Sequence, residues 1–185
     1  MQKLCLLLFS ALLLLGVCFT PSVQAASGAE LDARVNDAMK KFYKEVPGAR
    51  DLVAKSRGVL VMPKVYKAGF MIGGEYGEGA LRVGGKTVDY YNMVSGSYGF
   101  QIGAQKKTVI LIFMDSRALQ NFRNSAGWEV GADASVAMVT VGAEGTITSD
   151  TLNKPIVGFV TNQKGLMAGI SLEGAKFSKL DKSGN

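Results

Sequence analysis

The sequence predicts an α+β fold: a strongly coiled, glycine-rich antiparallel sheet or partly closed barrel, with an N-terminal amphipathic helix and a short mid-chain helix. Three observations carry that expectation. Apolar residues recur at helical spacing near the N-terminus and again over 117–125. From residue 58 onward the texture changes to β-branched and aromatic runs separated by turn residues. Within those runs glycine keeps returning, as in "AGFMIGGEYGEG" over 68–79, where five of twelve residues are glycine.

The first 25 residues read as a secretory signal peptide. Lys3 gives a positive start, Leu4 to Phe19 is almost unbroken apolar sequence, and Val23 and Ala25 occupy the small-residue positions for cleavage before Ala26. "LGVC", ending at Cys18, suggests a lipoprotein signal as the alternative, but branched Val17 stands where that site takes a small residue. Residues 26–185 are then expected to form one domain, since no Pro/Ser-rich linker divides them. Export to the periplasm or cell envelope follows from the leader.

Residues 30–46, "ELDARVNDAMKKFYKEV", place Leu31, Val35, Ala38, Met39, Phe42 and Val46 on one stripe, with charges opposite. Pro47-Gly48 stops this helix, and 49–56 predicts a second short one. Strands are expected at 58–62, 68–76 and 86–93, the last after a Gly84-Gly85 turn. Strands at 97–105 and 108–114 would form a hairpin joined by Lys106-Lys107. Asp115 or Ser116 would cap a helix over 117–125 that buries Leu119 and Phe122. Further strands are expected at 134–142, 155–161 and 165–175.

"GFMIGG" (69–74), "GFQIGA" (99–104) and "GWEVGA" (127–132) share a Gly–aromatic–x–Ile/Val–Gly–small pattern. Alternation in a strand puts Phe70 with Ile72, Phe100 with Ile102 and Trp128 with Val130, each pair on one face. Glycine takes the other face, which suits a tight bend or the close approach of another backbone. The same segment fails as a phosphate loop, because Gly77-x-Gly79 is followed by Arg82 where a third glycine is required.

Residue types argue against an enzyme. The chain has no histidine, and its two cysteines, Cys5 and Cys18, lie in the expected leader. Most general acid–base mechanisms and metal centres use one or both residue types. Glu75 and Glu78 need not converge in a strand and are expected on the surface, with Arg82 as a structural ion-pair partner. Ser97 lacks a base, and Asp115, Asp133 and Asp150 lack calcium-loop spacing. No cofactor and no metal are assigned.

Charge points instead to a binding surface. Removing the leader leaves 20 basic residues against 15 acidic, a charge of +5. An exported basic protein meets anionic phospholipid sooner than nucleic acid. The helix over 30–46 carries Lys40, Lys41 and Lys44 beside Phe42 and Tyr43, a pattern compatible with lying on an anionic membrane or with packing on the sheet. Its stripe, Leu31, Val35, Met39 and Phe42, therefore faces either membrane or core. An envelope protein-interaction module and a small outer-membrane β-barrel are the alternative readings.

"SRGVLVMPKVYKAGFMIGGEYGEGALRV" (56–83) resembles the opening signature of the SYLF domain family. Residues 96–122 and 131–145 look like its central and later blocks, and "GLMAGISLEGAKF" (165–177) is similar to its closing strand. The resemblance implies a non-enzymatic domain that binds phospholipid or phosphoinositide. It also implies actin binding in eukaryotic relatives, a role that export argues against here. An N-terminal amphipathic helix is implicated in lipid contact in animal members, which nominates Arg34, Lys40, Lys41 and Lys44 as head-group residues.

Overall fold

The computed structural model describes residues 26–99, 105–139, 153–162, 165–167 and 170–182. The expected leader, the motif pair Phe100 and Ile102, and the strand end at 140–142 lie outside these residues, and the side chains of Phe70 and Ile72 are likewise not described. Three helices are present among them: α1 (Gly28–Glu45), α2 (Ala49–Lys55) and α3 (Ser116–Asn124). The strands are β1 (Gly58–Val83), β2 (Lys86–Gly99), β3 (Gln105–Phe113), β4 (Trp128–Glu129), β5 (Ala137–Met138), β6 (Ile156–Asn162), β7 (Gly165–Leu166) and β8 (Lys176–Leu180).

The helices begin where side-chain acceptors are available. Ser27 accepts from the Glu30 amide at the start of α1, and Asp115 accepts from the Ala118 amide at the start of α3. Gly48 takes a left-handed conformation between α1 and α2. Leu119 and Phe122 are the buried residues of α3.

The strands form a curled half-barrel in the order β4-β8-β2-β1-β3-β6-β5, with β7 on β6. The β5–β6 pair is parallel, so the sheet is mixed instead of wholly antiparallel. β1 is one 26-residue strand spanning two expected strands, and its irregularity between Met62 and Val65 accommodates Pro63. Its first half pairs with β3 and its second half with β2 across the two-residue Gly84-Gly85 turn. The expected Lys106-Lys107 hairpin does not form. Both lysines lie within β3, opposite Tyr66 and Val65 of β1.

β1 also returns past itself. A Cβ on Gly79 would overlap the Val61 carbonyl oxygen and the Met62 sulfur. On Gly77 it would stand 2.8 Å from Val65 Cγ2 and 2.9 Å from the Lys64 carbonyl. On Gly58 it would approach the Arg82 carbonyl to 3.3 Å. The two halves of one strand therefore run in opposite directions against each other, and glycine permits that approach.

Alternation along these strands feeds two cores. Leu60, Met62, Leu81, Val109, Leu111 and Phe113 face one, together with α3. Phe122 is its hub, with ring centroids 4.7 Å from Tyr91, 4.9 Å from Phe113 and 5.2 Å from Trp128. Trp128 and Val130 share this core, as the motif predicts. Val59, Val61, Ile110, Ile112, Val157 and Phe159 face the other, beneath α1 and α2. Burial on both faces explains the continuous "VILIF" run of β3. It also removes the basis for a membrane barrel in these strands, because neither face is a free lipid-facing band.

One polar pair sits within this packing. Lys107 Nζ lies 2.7 Å from Glu75 Oε2, with their side chains only 12% and 9% exposed. Glu75 is thus a buried ion-pair partner, not the surface carboxylate expected from sequence. Arg82 pairs with neither glutamate. It bonds Asn36 and lies 4.0 Å from Asp32.

Gly79→Ala is expected to lose about 3 kcal/mol or more in urea unfolding, the upper range for overpacking. Gly96→Ala, where an added Cβ meets nothing within 4 Å, should change stability by less than about 0.5 kcal/mol. Glu75→Gln and Lys107→Met should each cost about 3 kcal/mol by stranding a buried charge or its partner. Guanidinium unfolding of Glu75→Leu/Lys107→Met should show most of that loss recovered. Additive losses in the double variant would mean that the two groups are not energetically coupled.

Candidate functional site

α1 is the wall between two surface depressions. Its stripe of Leu31, Val35, Met39 and Phe42 is buried, and Phe42 meets Phe159 of β6 edge-on at 4.9 Å. The stripe therefore faces the sheet. The four nominated cations do not converge. Arg34 and Lys41 share one flank, Lys40 lies on the other, and Lys44 is exposed on the outer crest.

The flank bearing Arg34 and Lys41 borders a groove of about 320 Å³. Its opposite bank comes from the sheet: Lys64 beside the β1 irregularity, Lys106 and Thr108 of β3, and Asn162 ending β6. Thr108 donates to the Pro63 carbonyl at 3.0 Å and holds that bank together. Lys41 Nζ donates to the Asn162 carbonyl at 2.6 Å, bridging the two banks, and lies 3.6 Å from Glu45. Arg34 pairs with Glu30. Asp37 is the carboxylate in the lining, and it bonds Lys40 at 3.3 Å on the helix surface.

Lys106 Nζ lies 5.9 Å from the ring centroid of Tyr66, its cross-strand partner, and Tyr66 is half exposed. An ammonium beside an exposed phenol ring pairs a cation with an amphipathic aromatic, chemistry that suits a polar–apolar interface. Lys107 alternates to the opposite face, toward Glu75. Lys64 and Lys106 were not legible as site residues, because a lysine in a strand looks like solvated surface until pairing brings two strands beside one helix flank. The available signal was Tyr66, an aromatic between Lys64 and Lys67.

The carboxylates considered for catalysis do not form a site. Glu75 and Glu78 are three residues apart in β1 and lie on opposite faces. Lys182 donates to Glu78 at 2.9 Å and to the Ala26 carbonyl at 2.8 Å, tying the end of the described chain to its start. Tyr76 donates to Glu78 at 2.9 Å, and its phenol is pushed up to about 12 by burial and by that carboxylate. The Ser97 side chain lies outside those described. Among the described residues no three His, Cys, Asp or Glu side chains gather as metal ligands.

Residues 94–184 match the family model described as "Ysc84: Las17-binding protein actin regulator". Over 131 residues the chain is 28% identical to the SH3 domain-containing YSC84-like protein 1 of Pongo abelii, an alignment covering 67% of this chain and 37% of that protein. The matched region runs from the end of β2 through the β3–α3 unit to β8, and it includes Lys106, Thr108 and Asn162 of the groove and Phe113, Phe122, Trp128 and Phe177 of the aromatic core. Ordered sequence blocks, the family match and the relative together support membership of the SYLF (Ysc84) family.

Proposed function

We propose that this chain is a non-catalytic module that binds anionic phospholipid at the cell envelope while α1 stays docked on the sheet. The observation that carries the reading is the groove in which Arg34 and Lys41 of α1 meet Lys64 and Lys106 of the sheet, beside half-exposed Tyr66. Lys44 on the crest and Lys40 beyond it add charge to the approaching face. The family description names an actin regulator, and the relative's name an SH3 domain. An exported chain would meet phospholipid and envelope proteins instead of actin.

Magnitudes define the kind of binding. Each Lys or Arg near an anionic surface contributes about 1 kcal/mol, so four contribute about 4 kcal/mol before ordering costs. That corresponds to a dissociation constant of about 1 mM. The attachment is therefore weak, reversible and sensitive to salt, whose screening length is about 8 Å at physiological strength. A second reading, docking of an envelope protein, draws on the cross-strand partners Tyr76 and Val94, which are 47% and 51% exposed.

Co-sedimentation with vesicles tests the lipid reading. Binding is expected to rise with phosphatidylglycerol or cardiolipin content and to fall with sodium chloride. Lys64→Glu/Lys106→Glu should weaken it at least tenfold, whereas the same charge change at exposed Lys55 and Lys154 should weaken it far less. Equal binding to neutral and anionic vesicles would refute the reading, as would equal loss in the control variant.

A further inference from the structure

The opposite flank of α1 borders a second and larger depression, of about 610 Å³, between α1, α2 and the β1–β2 turn. That volume lies within the roughly 300–1,000 Å³ of small-molecule sites. Its lining divides by chemistry. Val53 and the edge of Met39 supply aliphatic surface from the helices, and buried Val59 and Val61 form the floor from the sheet. Asn36, Lys40, Arg82 and the Gly84-Gly85 turn supply polar groups.

The polar groups cluster. Asn36 and Lys40 are one helical turn apart, and Arg82 Nη1 donates to Asn36 Oδ1 at 2.6 Å. The turn begins two residues beyond Arg82. Its glycines have φ of +58° and +81°, and a Cβ at either would meet nothing within 4 Å, so this turn stands open.

The charge beside the aliphatic lining is cationic. Arg82 Nη2 reaches the Asp32 carbonyl at 3.3 Å, and the Asp32 carboxylate, 4.0 Å away, already accepts from Thr87 and Tyr90. Among the described residues Arg82 Nε is buried and finds no hydrogen-bond partner. Lys40 is held by Asp37, in a pair whose side chains are both 78% exposed and which competes poorly with a ligand. Tyr43 also lines the cleft, with Arg50 stacked 4.6 Å from its ring centroid.

We propose that this cleft binds a single-chain anionic amphiphile, its alkyl chain along Met39, Val53, Val59 and Val61 and its carboxylate or phosphate beside Lys40, Arg82 and the open turn. Aliphatic lining alone would suit any hydrocarbon; the cationic cluster selects a chain with an anionic head. This site is separate from the membrane-facing groove and requires no bilayer. Two flanks of one helix thus serve two ligand geometries, a surface of head groups on one side and an individual molecule on the other.

Isothermal titration of the purified protein with dodecyl phosphate, dodecanoate and dodecanol, each below its aggregation concentration and without vesicles, tests this. Dodecyl phosphate and dodecanoate should bind with one molecule per chain, at least tenfold more tightly than dodecanol. Ala54→Trp, which fills the cleft from the exposed side of α2, should abolish binding, and Lys40→Glu should weaken it about tenfold. Lys64→Glu/Lys106→Glu should bind dodecyl phosphate as the parent does, which separates this site from the vesicle-binding groove. Circular dichroism melting controls for folding, and Lys40→Glu on the helix surface keeps the test decisive if Ala54→Trp unfolds. Failure of dodecyl phosphate to bind would overturn the proposal. So would equal affinity for dodecanol, or binding unchanged in both cleft variants.

Discussion

Among the described residues, one strand packs closely against itself. Gly79 lies on the Val61 carbonyl and Gly77 on the Lys64–Val65 backbone, so β1 travels out and back without an intervening element. Side chains at those positions would hold the two halves apart by the width of a residue. With the halves in contact, β2 and β3 both attach to the same strand, and the sheet curls into a half-barrel that presents two buried faces. One face takes α3 and the aromatic hub, and the other takes α1 and α2. The two surface depressions lie along α1, one on each flank.

Electrostatics adapts to this frame. The one pair buried beside the aromatic core, Glu75 with Lys107, is closely matched, as the low polarity of its surroundings requires. Nearer the surface, Asp89 serves both Arg123 at 2.9 Å and Lys179 at 3.3 Å, joining α3 and β8 to β2. These charges are occupied by structure. Other cations face solvent, among them Lys40 and Lys44 on α1, Lys106 on β3, and Lys55, Lys86, Arg117 and Lys154 elsewhere, so only part of the positive charge legible in composition is in structural use.

How legible this was in sequence depended on how local the cause is. Asp115 caps its helix through a bond to its own next turn, and the stripe from Leu31 to Phe42 needs only a helical period. Gly84-Gly85 is an equally local signal. β1 was read as two strands because Pro63-Lys64 punctuates it, whereas a neighbouring strand tolerates that irregularity through pairing. Lys106-Lys107 looked like a turn because two charges interrupt an apolar run. One of them finds Glu75, thirty-two residues earlier, and the other faces the groove. Among the described residues the strand expected over 165–175 is β-structure only at β7, and β8 has no counterpart among the expected strands, since "KFSKL" has only Phe177 facing the core and depends on pairing with β2 and β4. The groove itself was half legible: Arg34 and Lys41 follow from the helix, but Lys64 and Lys106 join them only through tertiary pairing.

The docked state of α1 decides how this module can meet lipid. If α1 left the sheet for a bilayer, Leu31, Val35, Met39 and Phe42 would keep an apolar environment, so the stripe itself would gain little. The loss would fall on the sheet, where Val59, Val61, Ile110, Ile112, Val157 and Phe159 would be uncovered. At about 1.5–3 kcal/mol for each large apolar side chain fully exposed, even partial wetting of that face exceeds the roughly 4 kcal/mol that four cations gain from an anionic surface. Undocking would also break the bonds from Arg82 to Asn36 and from Lys41 to Asn162, and the Asp32 contacts with Thr87 and Tyr90. The amphipathic character of α1 is thus satisfied inside the fold. Under the proposed lipid-binding role, contact falls to the surfaces that docking creates, where helix and sheet each supply cations that neither could gather alone.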